Sequence, residues 1–107
     1  MRAIVSVSDK RDIDFLVKEL LNLKTEIYAT SGTLNYLASK NLKVKSIEEL
    51  TNFPEILSGR VKTLHPNIFG GILAKKDQLD EIEKLHIKKI DLVIVNLYPF
   101  ETTDKIE

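Results

Sequence analysis

Two periodicities alternate along this chain. "AIVSV", Ala3 to Val7, is a short apolar run rich in β-branched residues and predicts a buried strand that opens the fold. From Ile13 the spacing lengthens. Ile13, Leu16, Val17, Leu20 and Leu21 recur at helical intervals, Lys18, Glu19 and Asn22 take the other side, and Asp9 or Asp12 is placed to cap the helix. "TEIYA", Thr25 to Ala29, predicts a second strand. Thr33 predicts the N-cap of a short helix whose inner face is Leu34, Leu37 and Ala38. "LKVKSI" predicts a short third strand with Leu42 and Val44 inward, and Ser46 and Glu49 have the spacing of a capping box. Further on, Leu79, Ile82 and Leu85 mark one face of a charged helix, and Ile90 to Val95 is the most apolar strand.

Strands that alternate with helices, with no hairpin dipeptide between them, predict an α/β domain with a mostly parallel sheet covered on both faces. No repeat, low-complexity tract or linker divides residues 1–107, so they form one unit. About four strands make a small sheet of this kind, which predicts a domain that continues past Glu107. One segment fits neither period: "SGRVKTLHPNIFGGIL", Ser58 to Leu73, reads as a long loop.

Composition narrows the function classes. Hydrophobic content of 43% and charged content of 30% are ordinary for a globular chain. Sixteen basic side chains balance sixteen acidic ones, so no global footprint for nucleic acid or an anionic membrane exists. The absence of cysteine excludes disulfides and thiolate chemistry and suits a reducing compartment. The longest aliphatic run, "LVIV", is far short of the roughly 20 residues that span a bilayer. A cytoplasmic protein is expected.

Ligands of open parallel sheets bind outside the carboxyl ends of the strands. There the chain places Ser8, Asp9 and Lys10 after the first strand, Thr30, Ser31, Gly32 and Thr33 after the second, and Asn96 and Tyr98 after the last. "ATSGT" is a turn of small hydroxyl residues entering a helix, a ready anion site or an ordinary capped turn. In extended backbone Arg60 and Lys62 point to one side; on a solvated loop they need face nothing. Pro66 biases His65 toward extended geometry, and Gly70–Gly71 permits a tight turn or a close ligand approach. His65 is open as a base, a hydrogen-bond donor or a structural residue, and His86 reads as surface. Two separated histidines without cysteine make no metal-site spacing, and no GxGxxG, Walker A, HExxH or GxSxG pattern is present. The residues therefore point to a phosphate-bearing small molecule over the strand ends.

"SVSDK", "ATSGT", "FPEILSGRVKTLHPNIFGGIL" and "DLVIVNLYPF", taken together, resemble the inosine monophosphate (IMP) cyclohydrolase domain at the N-terminus of the bifunctional purine biosynthesis proteins PurH. The similarity runs over nearly the whole chain, and "GRVKTLHP" and "NLYPF" are its most specific parts. The resemblance implies a three-layer, methylglyoxal-synthase-like α/β fold. It also implies ring closure of 5-formamidoimidazole-4-carboxamide ribotide (formylated AICAR) to IMP in purine synthesis. It places Ser8, Asp9, Lys10, Thr30, Ser31, Gly32 and Thr33 at the nucleotide's phosphate. Arg60, Val61, Thr63 and Asn96 approach the rest of the substrate, and Lys62 and Tyr98 are catalytic. No cofactor or metal is implied, and a homodimer is.

Two departures stand out. Ser31 replaces a glycine common in relatives, giving "TSGT" for "TGGT", so a backbone compatible with serine or an altered loop is expected. The resemblance also implies a following segment that supplies an aspartate and a lysine, and a separate formyltransferase domain, neither matched within residues 1–107. The competing class is a nucleotide-binding, regulatory module of the same fold without catalysis. Methylglyoxal synthase shares the fold but not "GRVKTLHP" or "NLYPF".

Overall fold

The computed structural model describes residues 1–53 and 65–96. They form β1 (Arg2–Ser6), α1 (Ile13–Asn22), β2 (Glu26–Ala29), α2 (Ser31–Ser39), β3 (Lys45–Ser46), α3 (Glu48–Thr51), α4 (Pro66–Leu73), a single 3-10 turn (Lys76–Gln78), α5 (Leu79–Lys84) and β4 (Leu92–Val95). All strands pair in parallel, in the order β3-β2-β1-β4. The chain steps outward from β1 to β3, crosses back and lays β4 on the other side of β1. The strand order thus reverses between β1 and β4, and ligands of such sheets bind in the crevice at that reversal.

Register sorts the side chains into two cores. Ala3 aligns with Ile27 and Leu92, and Val5 with Ala29 and Ile94. These residues pack with Ile13, Val17 and Leu20 of α1 and Leu37 of α2. Ile4 and Tyr28 face the other way, where they meet Ile47, Leu50, Ile68 and Ile90 beside α3 and α4. Two faces covered by helices make the three-layer α/β architecture that the alternating pattern predicts.

Local chemistry accounts for several boundaries. Around α3, Glu49 Oε2 accepts the Ser46 amide at 3.2 Å, one half of a capping box, but Ser46 Oγ accepts the Glu48 amide at 3.2 Å instead of that of Glu49, and Ile47 takes the N-cap position. In α1 the buried positions are Ile13, Val17 and Leu20, whereas Leu16 lies on the exposed side. Asp12 occupies the N-cap position in a left-handed conformation (φ 62°) with no capping bond, and Asp9 accepts the Arg11 amide instead.

Elsewhere tertiary contacts override the local pattern. α2 begins three residues earlier than expected, after Thr30, and the Thr33 hydroxyl bonds to Val7, just past β1, rather than capping its own helix. Ala38 is exposed. Leu42 and Val44 do pack against the first core, but they precede the two-residue β3 rather than forming it. α5 ends at Lys84, which puts Leu85 outside the helix and leaves it 63% exposed; Ile82 alone of its apolar row is buried. β4 begins at Leu92, two residues later than expected, and among the described strands lies at the edge of the sheet, with Val93 and Val95 exposed.

The largest difference is α4. The second half of the irregular segment is helical, with Pro66 at the first position and His65 as N-cap. His65 Nδ1 accepts the Asn67 amide at 3.0 Å, which gives this histidine a structural role. Gly70 and Gly71 lie inside that helix and make no turn. A Cβ on Gly71 would stand 2.2 Å from the Lys88 carbonyl oxygen, and Gly71 O accepts the Ile90 amide at 3.0 Å. The glycine lets α4 press onto the chain leading into β4. No helix among the described residues is long and apolar enough to cross a membrane.

Candidate functional site

The carboxyl ends of β1, β2 and β4 carry the candidate site. Polar residues follow each strand as its pairing ends, where backbone and side chains that leave the sheet must find new hydrogen-bond partners. Thr30, almost fully buried, donates its hydroxyl to Ser6 Oγ at 3.0 Å, so the ends of β1 and β2 are tied side chain to side chain. Thr33, equally buried, accepts the Val7 amide at 3.1 Å and donates to the Val7 carbonyl at 3.3 Å, fastening the first turn of α2 to the exit of β1.

The loop after β1 is held from its other side by Asn96. Its Oδ1 accepts the Ser8 amide at 2.8 Å, the Ser8 hydroxyl at 2.9 Å and the Asp9 amide at 3.4 Å, while its Nδ2 donates to the Asp9 carbonyl at 2.8 Å. The Asp9 carboxylate turns away to Arg11, accepting from its backbone amide and its guanidinium. Those Arg11 bonds hold the exposed Asp9 carboxyl at about 2, below its ordinary value of 3.8. Sequence patterning singled out Asp9 and passed over Arg11; their i, i+2 spacing in a turn is the signal that could have found the pair.

Lys10 bends back over the same loop and donates to the carbonyls of Val7 at 2.8 Å and Ser8 at 3.4 Å. A Cβ built on Gly32 would lie 3.8 Å from Lys10 Nζ, so the ammonium stands beside the first turn of α2. The amides of Gly32 and Thr33 in that turn have no acceptor within the helix, and a helix start carries partial positive charge. Ammonium and helix start together favour an anion, and Gly32 leaves it room to approach. Ser31 opens α2 and is not among the residues with positive φ, so the serine in "TSGT" meets no left-handed strain.

The structure thus brings together Ser8, Asp9, Lys10, Thr30, Ser31, Gly32, Thr33 and Asn96. Arg60, Val61, Lys62, Thr63 and Tyr98 lie outside the described residues. His86 is exposed and left-handed at the end of α5. Among the described residues no group of three His, Asp or Glu side chains is placed to hold a metal ion.

Residues 12–107 match the MGS-like domain family. The chain belongs to that family. This MGS-like domain is 55% identical over 100 residues to the bifunctional purine biosynthesis protein PurH of Natranaerobius thermophilus, covering 94% of this chain and 20% of that protein. It is 57% identical over 105 residues to PurH of Aquifex aeolicus, covering 94% of this chain and 21% of that protein. The domain therefore spans about a fifth of the length of the curated relatives it matches. The crystal structure of ForH superimposes with a TM-score of 0.82 at 42% identity, over 92% of this chain and 53% of that one.

Proposed function

We propose that this MGS-like domain binds a purine ribonucleotide through its phosphate and contributes the IMP cyclohydrolase step of purine biosynthesis. The observation that carries the proposal is the placement of the Lys10 ammonium beside the first turn of α2, at the carboxyl ends of a parallel sheet. Similarity to PurH proteins over most of the chain supports the choice of ligand.

In the proposed reaction the substrate's carboxamide nitrogen bonds to its formyl carbon, and the formyl oxygen leaves as water with one proton from each of two nitrogens. Both reacting groups belong to one molecule, so holding them in contact supplies much of the acceleration. Attack places negative charge on the formyl oxygen. Lys62 is proposed to stabilise that charge and Tyr98 to move a proton, with Arg60, Val61 and Thr63 as substrate contacts. Phosphate anchoring at Lys10 and α2 fixes the far end of the same molecule.

The test is IMP formation from 5-formamidoimidazole-4-carboxamide ribotide, followed by absorbance. The protein is assayed alone and joined to the segment that follows the matching region in a PurH relative. Turnover that falls at least 100-fold in Lys62→Ala, with IMP still bound, is the expected result. IMP binding without conversion in either form would move the domain to the non-catalytic nucleotide-binding class. No binding of IMP or phosphate by either form would sink both.

A further inference from the structure

Asn96 follows β4, on the far side of the strand-order reversal from β2, yet its amide oxygen and one N–H of its amide nitrogen are engaged with the loop after β1. Its Oδ1 takes three donors from Ser8 and Asp9, and its Nδ2 meets the Asp9 carbonyl. A carboxamide oxygen has two lone pairs and is already shared three ways, so it has little capacity left for a ligand group. The loop so held carries Lys10, whose ammonium bonds to the Val7 and Ser8 carbonyls. Thr33 fixes the same loop from α2 through Val7. The Lys10 ammonium therefore hangs on a short loop fastened at two points, one on each side of β1.

We propose that Asn96 is a positioning residue for the anion site: it acts through the Ser8–Asp9 backbone to hold Lys10 against the start of α2. This rests on the strand ends being a phosphate site, as proposed above. A loop pinned in advance binds an anion without having to be ordered at that moment. The same contact ties the carboxyl end of β4 to that of β1, so a displacement of β4 would be felt at the phosphate.

The decisive measurements use the full 107-residue chain. Amide hydrogen exchange followed by NMR reads the clamp directly. Asn96→Ala should expose the Ser8 amide to fast exchange, while the Val7 amide, held by Thr33, stays protected as an internal control. Asn96→Asp keeps the Oδ1 acceptor and should keep Ser8 protected. Unchanged Ser8 exchange in Asn96→Ala would overturn the clamp, whether or not the protein binds nucleotides.

Affinity then separates the two roles. Loosening the loop should weaken inorganic phosphate and IMP alike, by about tenfold in Asn96→Ala. Weakened IMP with unchanged phosphate would mean that Asn96 contacts the nucleoside end, and the positioning role would be wrong. If the unaltered protein binds neither probe, the phosphate-site proposal fails, and the positioning role fails with it even where hydrogen exchange supports the clamp.

Discussion

The two ends of one sheet are both polar, and they are built on opposite plans. At the amino ends, Glu26 accepts from Arg2 Nε at 2.8 Å and from the Tyr28 hydroxyl at 2.6 Å, and lies 3.5 Å from Lys45 Nζ. Lys45 and Lys88 flank the Tyr28 ring at 5.6 and 6.0 Å, and the Arg2 guanidinium also donates to the Lys89 carbonyl. Charges there satisfy one another around a buried phenol, which burial pushes up to about 12 and so keeps neutral. At the carboxyl ends, Thr33, Thr30 and Asn96 use their side chains to fix backbone. The Lys10 ammonium there meets only carbonyls, with no carboxylate paired to it in a salt bridge among the described residues. A cation paired with a carboxylate has little left for a ligand; one resting on carbonyls keeps its charge for an anion. One end spends its charges on the fold, and the other leaves a cation for the proposed ligand.

The most damaging change expected belongs to the first end. Gly71→Ala drives a Cβ to 2.2 Å from the Lys88 carbonyl and must push the chain before β4 away from α4. A loss of about 3 kcal/mol or more is expected in urea unfolding. A loss below about 0.5 kcal/mol would mean that the α4 contact is adjustable.

Next come the two carboxyls held at about 2, Glu26 at the amino ends and Asp9 at the carboxyl ends. Hydrogen bonds from Arg2 and Tyr28 depress Glu26 from its ordinary value of 4.5. A depressed folded-state value stabilises fully above pH 4.5 and is lost as pH falls from there toward 2. The Glu26 side chain is 33% exposed, so water screens part of the effect and about 1–2 kcal/mol should disappear over that window. Glu26→Gln should flatten this acid limb. Asp9→Asn, at a more exposed pair, should leave most of it. The reverse result would invert the comparison.

A smaller effect tests whether the carboxyl ends are also structural. Thr33→Val keeps the shape but leaves the Val7 amide without its partner, and should cost about 1–2 kcal/mol. The smallest stability change should come from Lys10→Ala, within about 0.5 kcal/mol, since its carbonyl partners can turn to water. Its phosphate affinity, by titration calorimetry, should nonetheless drop about tenfold or more. Equal losses of stability and affinity would make Lys10 part of the scaffold.

Much of this was legible in the chain. Runs such as "AIVSV" and the Ile13–Val17–Leu20 spacing specify element type, because burial on one face imposes its period on the residues there. The parallel architecture followed from alternation, and the rule for strand ends picked out Lys10, Thr33 and Asn96. The part each plays did not follow. Thr33 looks like a helix cap, yet its partner is Val7. Gly70–Gly71 looks like a turn and is a helix interior where another backbone passes. Asn96 looks like a ligand contact and meets Ser8 across 88 residues of chain. Periodicity reports which side of an element is buried, and short motifs report which chemistry is near. Neither encodes which strand lies beside which. Once β4 settles next to β1, that neighbour relation sets Asn96 against the loop after β1, α4 against Lys88 and the Arg2 guanidinium against the Lys89 carbonyl, because such bonds depend on a few ångströms of tertiary placement.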